Sequence, residues 1–489
     1  MKSDNAKPYV QVIAELAAQE PERVAIYVEE QQLTIADLDR RSTRMAQAYR
    51  GLGVKYDDVV TLAMPNGIEV LVAILACWKV GALPNPISSS MPQAELIQLA
   101  ERARPALIVA DNASGLDYTC LPTDFEPGED WPDEPLPDLP IVGGERALAS
   151  GGSTGVPKLI IPSNRAELDA GSVLSLFQAR DAAVVPGPLY HATPFTAVWQ
   201  GILNGCTVVL MRRFDAEQFL QLIERHRVDR ITLVPTMMLR IWNLPEDVRL
   251  RYDLSSLEMV ISGGAPLPRW LMRAWIEWLG PDVMHEAYGP SERIGGTFIS
   301  GHEWLQHPGS VGKPLPYCRI KILDKAYKEC PPGEIGEIYF MPVSGPGSTY
   351  VYRGTESRRT EDGWESVGDM GYLDDEGYLY LADRRADMIV VNGRNIYPAE
   401  IEGAIEKYPT VRSCAVIGLP DEQSEQLIHA IVDCEPGSVD DQVLKSHLEA
   451  LITPYKIPHR FEYVNRPLRN DAGKVRRSAL REARLRAAQ

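Results

Sequence analysis

Residues 150–158 read SGGSTGVPK, a run of small and flexible residues that ends in a lysine. Gly151, Gly152 and Gly155 permit positive φ and leave amide N–H groups uncovered. Ser153 and Thr154 add hydroxyl donors. Such a loop can wrap an anion with oriented amide dipoles, and Lys158 adds a mobile point charge suited to phosphate. The common nucleotide loop demands G-x-x-x-x-G-K-[ST] opening a helix. Here Pro157 precedes the lysine and Leu159 follows it, so this loop is of another kind. From these nine residues alone, a flexible hairpin turn is an equally good explanation.

On both sides of the loop, short apolar runs read as buried strands: ALIVAD (106–111), CTVVLM (206–211), RITLVPT (230–236) and LEMVISGG (257–264). Helical periodicity or a glycine-rich turn follows each of them. Strands alternating with helices predict an α/β fold with largely parallel sheets. Residues 121–140 hold six prolines and seven acids, which predicts an irregular surface connection. β-rich character rises after Tyr317. The last hundred or so residues read as a separate α+β unit: a hairpin in ADMIVVNGRNIYP, a helix in AEIEGAIEKY with Glu400 and Glu402 near its positive end, then strands and a helix around 440–451. The boundary falls near DRRAD (383–387), giving domains 1–383 and 384–489.

The chain has 489 residues and a net charge of −17. That sign argues against a broad nucleic-acid surface. The charge is uneven: residues 453–489 carry ten Lys/Arg against three Asp/Glu. No apolar run reaches the ~18–20 residues of a membrane span, and the N-terminus lacks a signal peptide's apolar stretch. Seven cysteines without a C-x-x-C pair indicate neither a zinc site nor a disulfide framework. A cytoplasmic setting is expected.

Further along lie YGPSE (288–292), VGDMGYLDDEGYLYLADRRAD (367–387) and PLRNDAGKVRR (467–477), with MPNGIEVLVAILACWKVGALPNPI (64–87) upstream. In this order and at these intervals they resemble the adenylate-forming superfamily of acyl-CoA synthetases, adenylation domains and luciferases, over nearly the whole chain. PLYHATPF, WLQHPGSVGKP, DRRADM and TPYKIPHRFEYV look most like bacterial acyl-CoA ligases of the bile-acid or fatty-acid type. The resemblance implies a large N-terminal domain of layered α/β subdomains with a β-barrel-like subdomain, and a small mobile C-terminal domain. It also implies ATP, Mg²⁺ and coenzyme A as cofactors, and a small carboxylic acid as substrate. The carboxylate attacks the α-phosphate to give an acyl-adenylate, and a thiol then displaces AMP.

By that resemblance, Lys474 bridges carboxylate and α-phosphate. Ser150, Gly151, Gly152, Ser153, Thr154, Gly155 and Lys158 hold the β- and γ-phosphates, although Ser150, Gly151 and Ser153 depart from the family's commonest T-S-G-T-T-G-x-P-K. Glu292 holds Mg²⁺, with Ser291 where Thr is more usual. Asp369 accepts from the ribose hydroxyls while Arg384 donates. Tyr288, Gly289 and the turn Gly264-Ala265-Pro266 flank adenine. His191, in PLYH, lies near the acyl pocket. The small domain pivots at Ala386, where Asp or Lys is common, and then offers Gly393 and Arg394 to coenzyme A. Gly263, Gly264, Gly295 and Gly296 fall in the pocket windows; they either leave volume for a bulky apolar acid or serve backbone geometry. Two other outcomes remain open: transfer to a carrier-protein phosphopantetheine or other nucleophile, and nucleotide binding without turnover. No nucleic-acid partner is expected.

Overall fold

The computed structural model describes residues 6–487 except 114, 129–130, 137–140, 152–156, 169–180, 392–393, 422–424 and 471–472. The inner five of the nine residues read first, 152–156, thus lie outside the described part, as do Asn392 and Gly393.

A four-stranded parallel sheet (Leu83–Pro86, Val59–Leu62, Leu107–Val109, Cys120–Leu121) forms one layer. The helix Ile68–Val80 is buried almost all round, which places it between layers. It ends at Gly81 with φ +77°, the left-handed geometry that favours glycine. The preceding helix, Ile35–Gly51, starts at Thr34, whose hydroxyl accepts from the Asp37 N–H at 3.1 Å. Beyond Leu121 the proline-rich segment carries no further strand or helix among its described residues, as its composition predicts.

The second layer is a nine-stranded sheet with six parallel strands at its centre, ordered Val24–Val28, Thr207–Leu210, Ala182–Val185, Arg230–Leu233, Met259–Ser262 and Met284–Tyr288. The apolar runs read from sequence supply these strands. The chain leaves Ala182–Val185 toward Thr207–Leu210 on one side, then crosses to Arg230–Leu233 on the other. That reversal opens a crevice at the strands' carboxyl ends, the usual ligand position in such sheets.

An antiparallel sheet follows, built on Cys318–Leu323, Gly336–Pro342, Asp369–Leu373 and Leu379–Arg384 with two short edge strands. A three-stranded sheet joins Leu148–Gly151, Pro157–Pro162 and Tyr350–Arg353. From Ile389 onward the chain builds a core of its own, with Ile401, Ile405, Val416, Ile428 and Leu444 at its centre. Here Val411–Asp421 pairs antiparallel with Glu425–Cys434, which pairs parallel with Arg460–Val464. The helix Pro398–Ile405 covers this sheet, and Asp441–Glu449 and Arg477–Ala487 complete the unit.

Asp369 and Arg384 are register partners on adjacent antiparallel strands. Glu402, in the helix Pro398–Ile405, is 3% exposed and held by two arginines from the C-terminal segment.

Candidate active site

Four strand ends line the crevice. After Leu233 comes Val234 and a helix, Pro235–Trp242. After Ser262 the chain turns through Gly263, Gly264, Ala265 and Pro266. The Gly263 N–H donates to Leu233 O at 3.1 Å, and Gly264 takes φ +81°. After Tyr288 a tight turn, Gly289 to Arg293, closes with the Arg293 N–H on Pro290 O. Beyond Val185 the chain reaches His191, which begins the helix Ala192–Leu203.

Glu292 leaves that tight turn with only 5% of its surface exposed. A buried carboxylate needs partners, and it has two. Lys158 Nζ lies 3.2 Å from its Oε1, and the Tyr352 hydroxyl donates to the same oxygen at 2.5 Å. Lys158 also donates to the Tyr352 hydroxyl at 2.7 Å and lies 4.1 Å from that ring's centre. Burial, reinforced by Glu292, raises the Tyr352 phenol above its ordinary range, so it stays a donor. Sheet pairing produces this meeting: Tyr352 stands opposite Ile160, two residues beyond Lys158, and Ser150 stands opposite Lys158. The strands that flank residues 152–156, Leu148–Gly151 and Pro157–Pro162, pair antiparallel.

Tyr288, at the end of its strand, donates its hydroxyl to Asp369 Oδ2 at 2.6 Å. The ladder sets Asp369 opposite Arg384. Ser291 is half-buried beside Glu292.

Lys474 belongs to a turn of the C-terminal segment. The Lys474 N–H donates to Asn470 Oδ1 at 2.9 Å, and the Asn470 N–H donates to Lys474 O at 3.0 Å. Gly473 takes φ +71°, and a Cβ there would stand 3.0 Å from Thr236 Oγ1 and 3.6 Å from Val234 Cγ2. Val234 equally backs Gly264, at 3.5 Å from the position of a Cβ. One valine thus separates the GGAP turn from the lysine turn. The Lys474 side chain is exposed, and its charge reaches His191. Burial, and secondarily Lys474, push the His191 imidazole down to about 3. His191 is therefore neutral near pH 7. Its Nε2 is buried with no hydrogen-bond partner among the described residues, which suits pocket lining and not proton uptake.

Arg394 and Ala386 stand apart from these groups. Arg394 is exposed, and its guanidinium lies 4.9 Å from the centre of the Tyr455 ring within its own unit. Ala386 is exposed in the turn that follows Arg384.

Of the two readings left open for the four glycines, close approach of neighbouring atoms holds for three of them. A Cβ on Gly295 would stand 2.1 Å from the Phe340 ring. One on Gly296 would stand 2.9 Å from the Tyr317 hydroxyl, and one on Gly263 would stand 3.1 Å from Ala287 O. These glycines admit neighbouring atoms, and Gly264 supplies a left-handed turn.

Sequence reading missed three groups. Tyr352 looks like any strand tyrosine until the pairing is known. Glu286, on the Met284–Tyr288 strand, is pushed up to about 8 by burial and is held neutral near pH 7. Glu145, Arg146 and Arg293 form a buried cluster: Arg146 contacts the Glu145 carboxylate at 2.5 Å and Arg293 at 2.7 Å. Burial alone would raise Glu145, but the two guanidiniums outweigh it and the net shift is downward. Arg293 has φ +56° and directly follows Glu292, so this cluster fixes the acid-bearing turn to the segment that leads into the strand Leu148–Gly151. An acid–base pair five residues before the loop was the available signal.

Among the described residues no cluster of three or more His, Cys, Asp or Glu could cage a metal. A lone carboxylate such as Glu292 fits Mg²⁺, which is commonly held by one or two carboxylates together with substrate phosphates. No helix among the described residues is long and apolar enough to cross a membrane.

The chain is similar over most of its length to the 2-succinylbenzoate–CoA ligase of Bacillus licheniformis, with 29% identity over 94% of this chain and 97% of that one. It is 32% identical to the feruloyl-CoA synthase of an Amycolatopsis species, over 92% and 93%. It is 28% identical to the fatty acid–[acyl-carrier-protein] ligase of Streptomyces coeruleorubidus, over 97% and 96%. Its fold matches o-succinylbenzoate CoA synthetase from Bacillus subtilis in complex with its acyl-adenylate intermediate, with TM-score 0.81 and 28% identity over 97% and 98%. The same Bacillus subtilis enzyme in complex with ATP and magnesium ion matches with TM-score 0.79 and 27% identity, over 97% of this chain and 100% of that one. Residues 13–353 match the AMP-binding enzyme family and residues 400–474 its C-terminal domain, so the chain belongs to the AMP-binding enzymes.

Proposed function

We propose that this chain is an ATP-dependent carboxylate–CoA ligase that works through an acyl-adenylate on a bulky apolar acid. The observation that carries the reading is the convergence of two lysines on one set of strand ends. Lys158 arrives paired with Glu292, and the Lys474 turn is seated against Val234 and Thr236.

The first half-reaction brings a carboxylate to the α-phosphate. At 4 Å, two unit anions repel by roughly 4 kcal/mol at an effective dielectric near 20. Lys474 supplies the cation between them, already placed when the reaction begins. Lys158, with the hairpin residues Ser150, Gly151, Gly152, Ser153, Thr154 and Gly155, holds the departing phosphates. Tyr288, Gly289, Gly264, Ala265 and Pro266 flank the adenine, while Asp369 and Arg384 take the ribose hydroxyls. Glu292 would hold Mg²⁺, which supplies charge neutralisation on the phosphates. His191 lines the acid's entrance as a neutral ring. No general base is required, because the acid is already ionised near pH 7.

In the second half-reaction the small domain, residues 384–489, turns about Ala386. Lys474 withdraws, and Gly393 and Arg394 face the thiol carrier. Coenzyme A is that carrier. The carrier-protein ligase among the relatives supports a second acceptor, a phosphopantetheine arm. The aromatic acids in the names of two relatives support a ring-bearing substrate. All seven cysteines are free thiols, which supports a cytoplasmic setting.

The test is a panel of carboxylic acids assayed for AMP and pyrophosphate release, with coenzyme A, with a phosphopantetheinylated carrier, and with neither. Acid-dependent AMP release that accelerates with coenzyme A is expected. Release of ADP, or no acid dependence, defeats the reading.

A further inference from the structure

Lys474 sits on an exposed turn, yet its ammonium has to be placed to within tenths of an ångström. What holds the turn lies behind it. Arg469 enters the turn and Arg477 leaves it, and both guanidiniums converge on buried Glu402. Arg469 reaches Glu402 Oε2 at 3.0 Å. Arg477 reaches both carboxylate oxygens, at 2.9 and 2.8 Å. Glu402 Oε1 also accepts the Val416 N–H at 2.8 Å, which ties it to the sheet of the small unit. Arg469 additionally donates to Gly473 O at 3.2 Å, the carbonyl immediately before Lys474, and to Glu406 at 3.1 Å.

The same network reaches the pivot. Arg477 contacts Asp387 Oδ2 at 3.0 Å, one residue beyond Ala386. One residue before Ala386, Arg385 is tied to the large body: its N–H donates to Gly368 O at 2.9 Å and its guanidinium to Glu337 at 3.2 Å. Glu337 is itself buried and accepts the Ser366 hydroxyl at 2.8 Å. Ala386 is therefore bracketed, with one neighbour anchored to the large body and the other to the lysine turn.

We infer that Glu402, Arg469, Arg477 and Asp387 form a positioning clamp that makes the backbone beyond Ala386 and the Lys474 turn one rigid piece, so that rotation at Ala386 moves the ammonium without slack. The inference rests on the ligase reading above. None of the four residues touches substrate; they act through Lys474. A buried ion cluster of this kind often adds little to stability compared with apolar packing, and one attested use of such groups is to specify a single arrangement.

The test uses the full chain with ferulate, 2-succinylbenzoate and decanoate as probe acids. Two rates are measured separately: pyrophosphate release from ATP plus acid, and thioester formation from supplied acyl-adenylate plus coenzyme A. Glu402→Gln keeps the shape and removes the charge. It is expected to lower the first rate by about 100-fold, the scale of a 1 Å misplacement, with the ATP KM little changed and the second rate within a few fold of wild type. Asp387→Asn is expected to give a smaller fall of the same kind, and Arg477→Lys to retain only part of the first rate, because Arg477 divides its two terminal nitrogens between Glu402 and Asp387 and one ammonium cannot serve both carboxylates. Should Glu402→Gln fail to fold, Asp387→Asn and Arg469→Lys leave the Glu402–Arg477 pair intact and decide the question. Variants that fold and lose both rates equally, or lose neither, overturn the clamp alone. A wild-type chain that releases no AMP with any acid overturns the ligase reading, and the clamp with it.

Discussion

Lys158 and Lys474 approach the same strand ends from opposite parts of the chain, and they are held in opposite ways. Lys158 stands on a sheet strand, three-quarters buried, against Glu292 and the Tyr352 ring. Its position follows from sheet register and changes only if the sheet does. Lys474 stands on a turn, exposed at its tip and anchored at its base by Arg469 and Arg477 on Glu402. Moving it requires no change inside its own unit. The first arrangement suits a cation that stays with the phosphates throughout. The second suits one needed for a single half-reaction and then removed. The contrast teaches that a preformed cradle and a delivered charge demand different supports: hydrogen-bonded register for one, a rigid base on a movable body for the other.

The sharpest test of that contrast is Lys474→Ala. Acid-dependent pyrophosphate release should fall by about 1,000-fold, the upper range for one positioned charge, while thioester formation from supplied acyl-adenylate persists. Equal loss in both halves would merge the two lysines into one role.

Next in size, Glu292→Gln should lower pyrophosphate release by about 100-fold and raise the Mg²⁺ concentration needed for half-maximal rate. A Mg²⁺ titration of the variant checks this. Asp369→Asn should raise the KM for ATP by about 10-fold, the loss of a hydrogen bond to a charged group, and leave the KM of the acid unchanged. Tyr352→Phe removes the hydroxyl that bridges Lys158 and Glu292 but leaves their ion pair. A fall of about 5-fold in pyrophosphate release, near 1 kcal/mol, is expected. An effect as large as that of Glu292→Gln would show that the hydroxyl itself touches substrate.

The smallest effect concerns pH. His191 is held near 3 in the folded chain against about 6.5 when unfolded. Between those values the unfolded state binds the extra proton, so the folded state loses stability as pH falls from 6.5 toward 3. Wild type should therefore lose more Tm than His191→Gln between pH 7 and pH 5. The rate of pyrophosphate release should show no ionisation from this ring over the same range. A step near 6.5 that His191→Gln removes would contradict its neutral role.

Much of this molecule was legible in the chain itself. The strands at 207–210 and 259–262 follow from apolar runs bounded by turn residues, because a strand buried on both faces has no polar alternation to hide it, and the strand at 230–233 follows from apolar alternation. The independent core after Ile389 follows from helical spacing and hairpin chemistry. Motif order, through the family resemblance, put forward the two lysines, Glu292, Asp369 and Tyr288, and the fold sets Lys158 against Glu292 and Tyr288 against Asp369. Pairing between distant segments decided the rest. Nothing local distinguishes Tyr352 from Tyr350, and only the antiparallel register against residues 159–162 brings Tyr352 to Lys158. Nor does the helix pattern around Glu402 reveal that two arginines more than sixty residues away will neutralise it. For Gly295 and Gly296 the sequence left open either volume or backbone geometry, and the placement of Phe340 and Tyr317 decides for close approach. Periodicity, capping and turn chemistry act over a few residues and are written in sequence. Buried charge must instead be matched by whatever the completed fold brings near, so its partners are known only once the layers have closed.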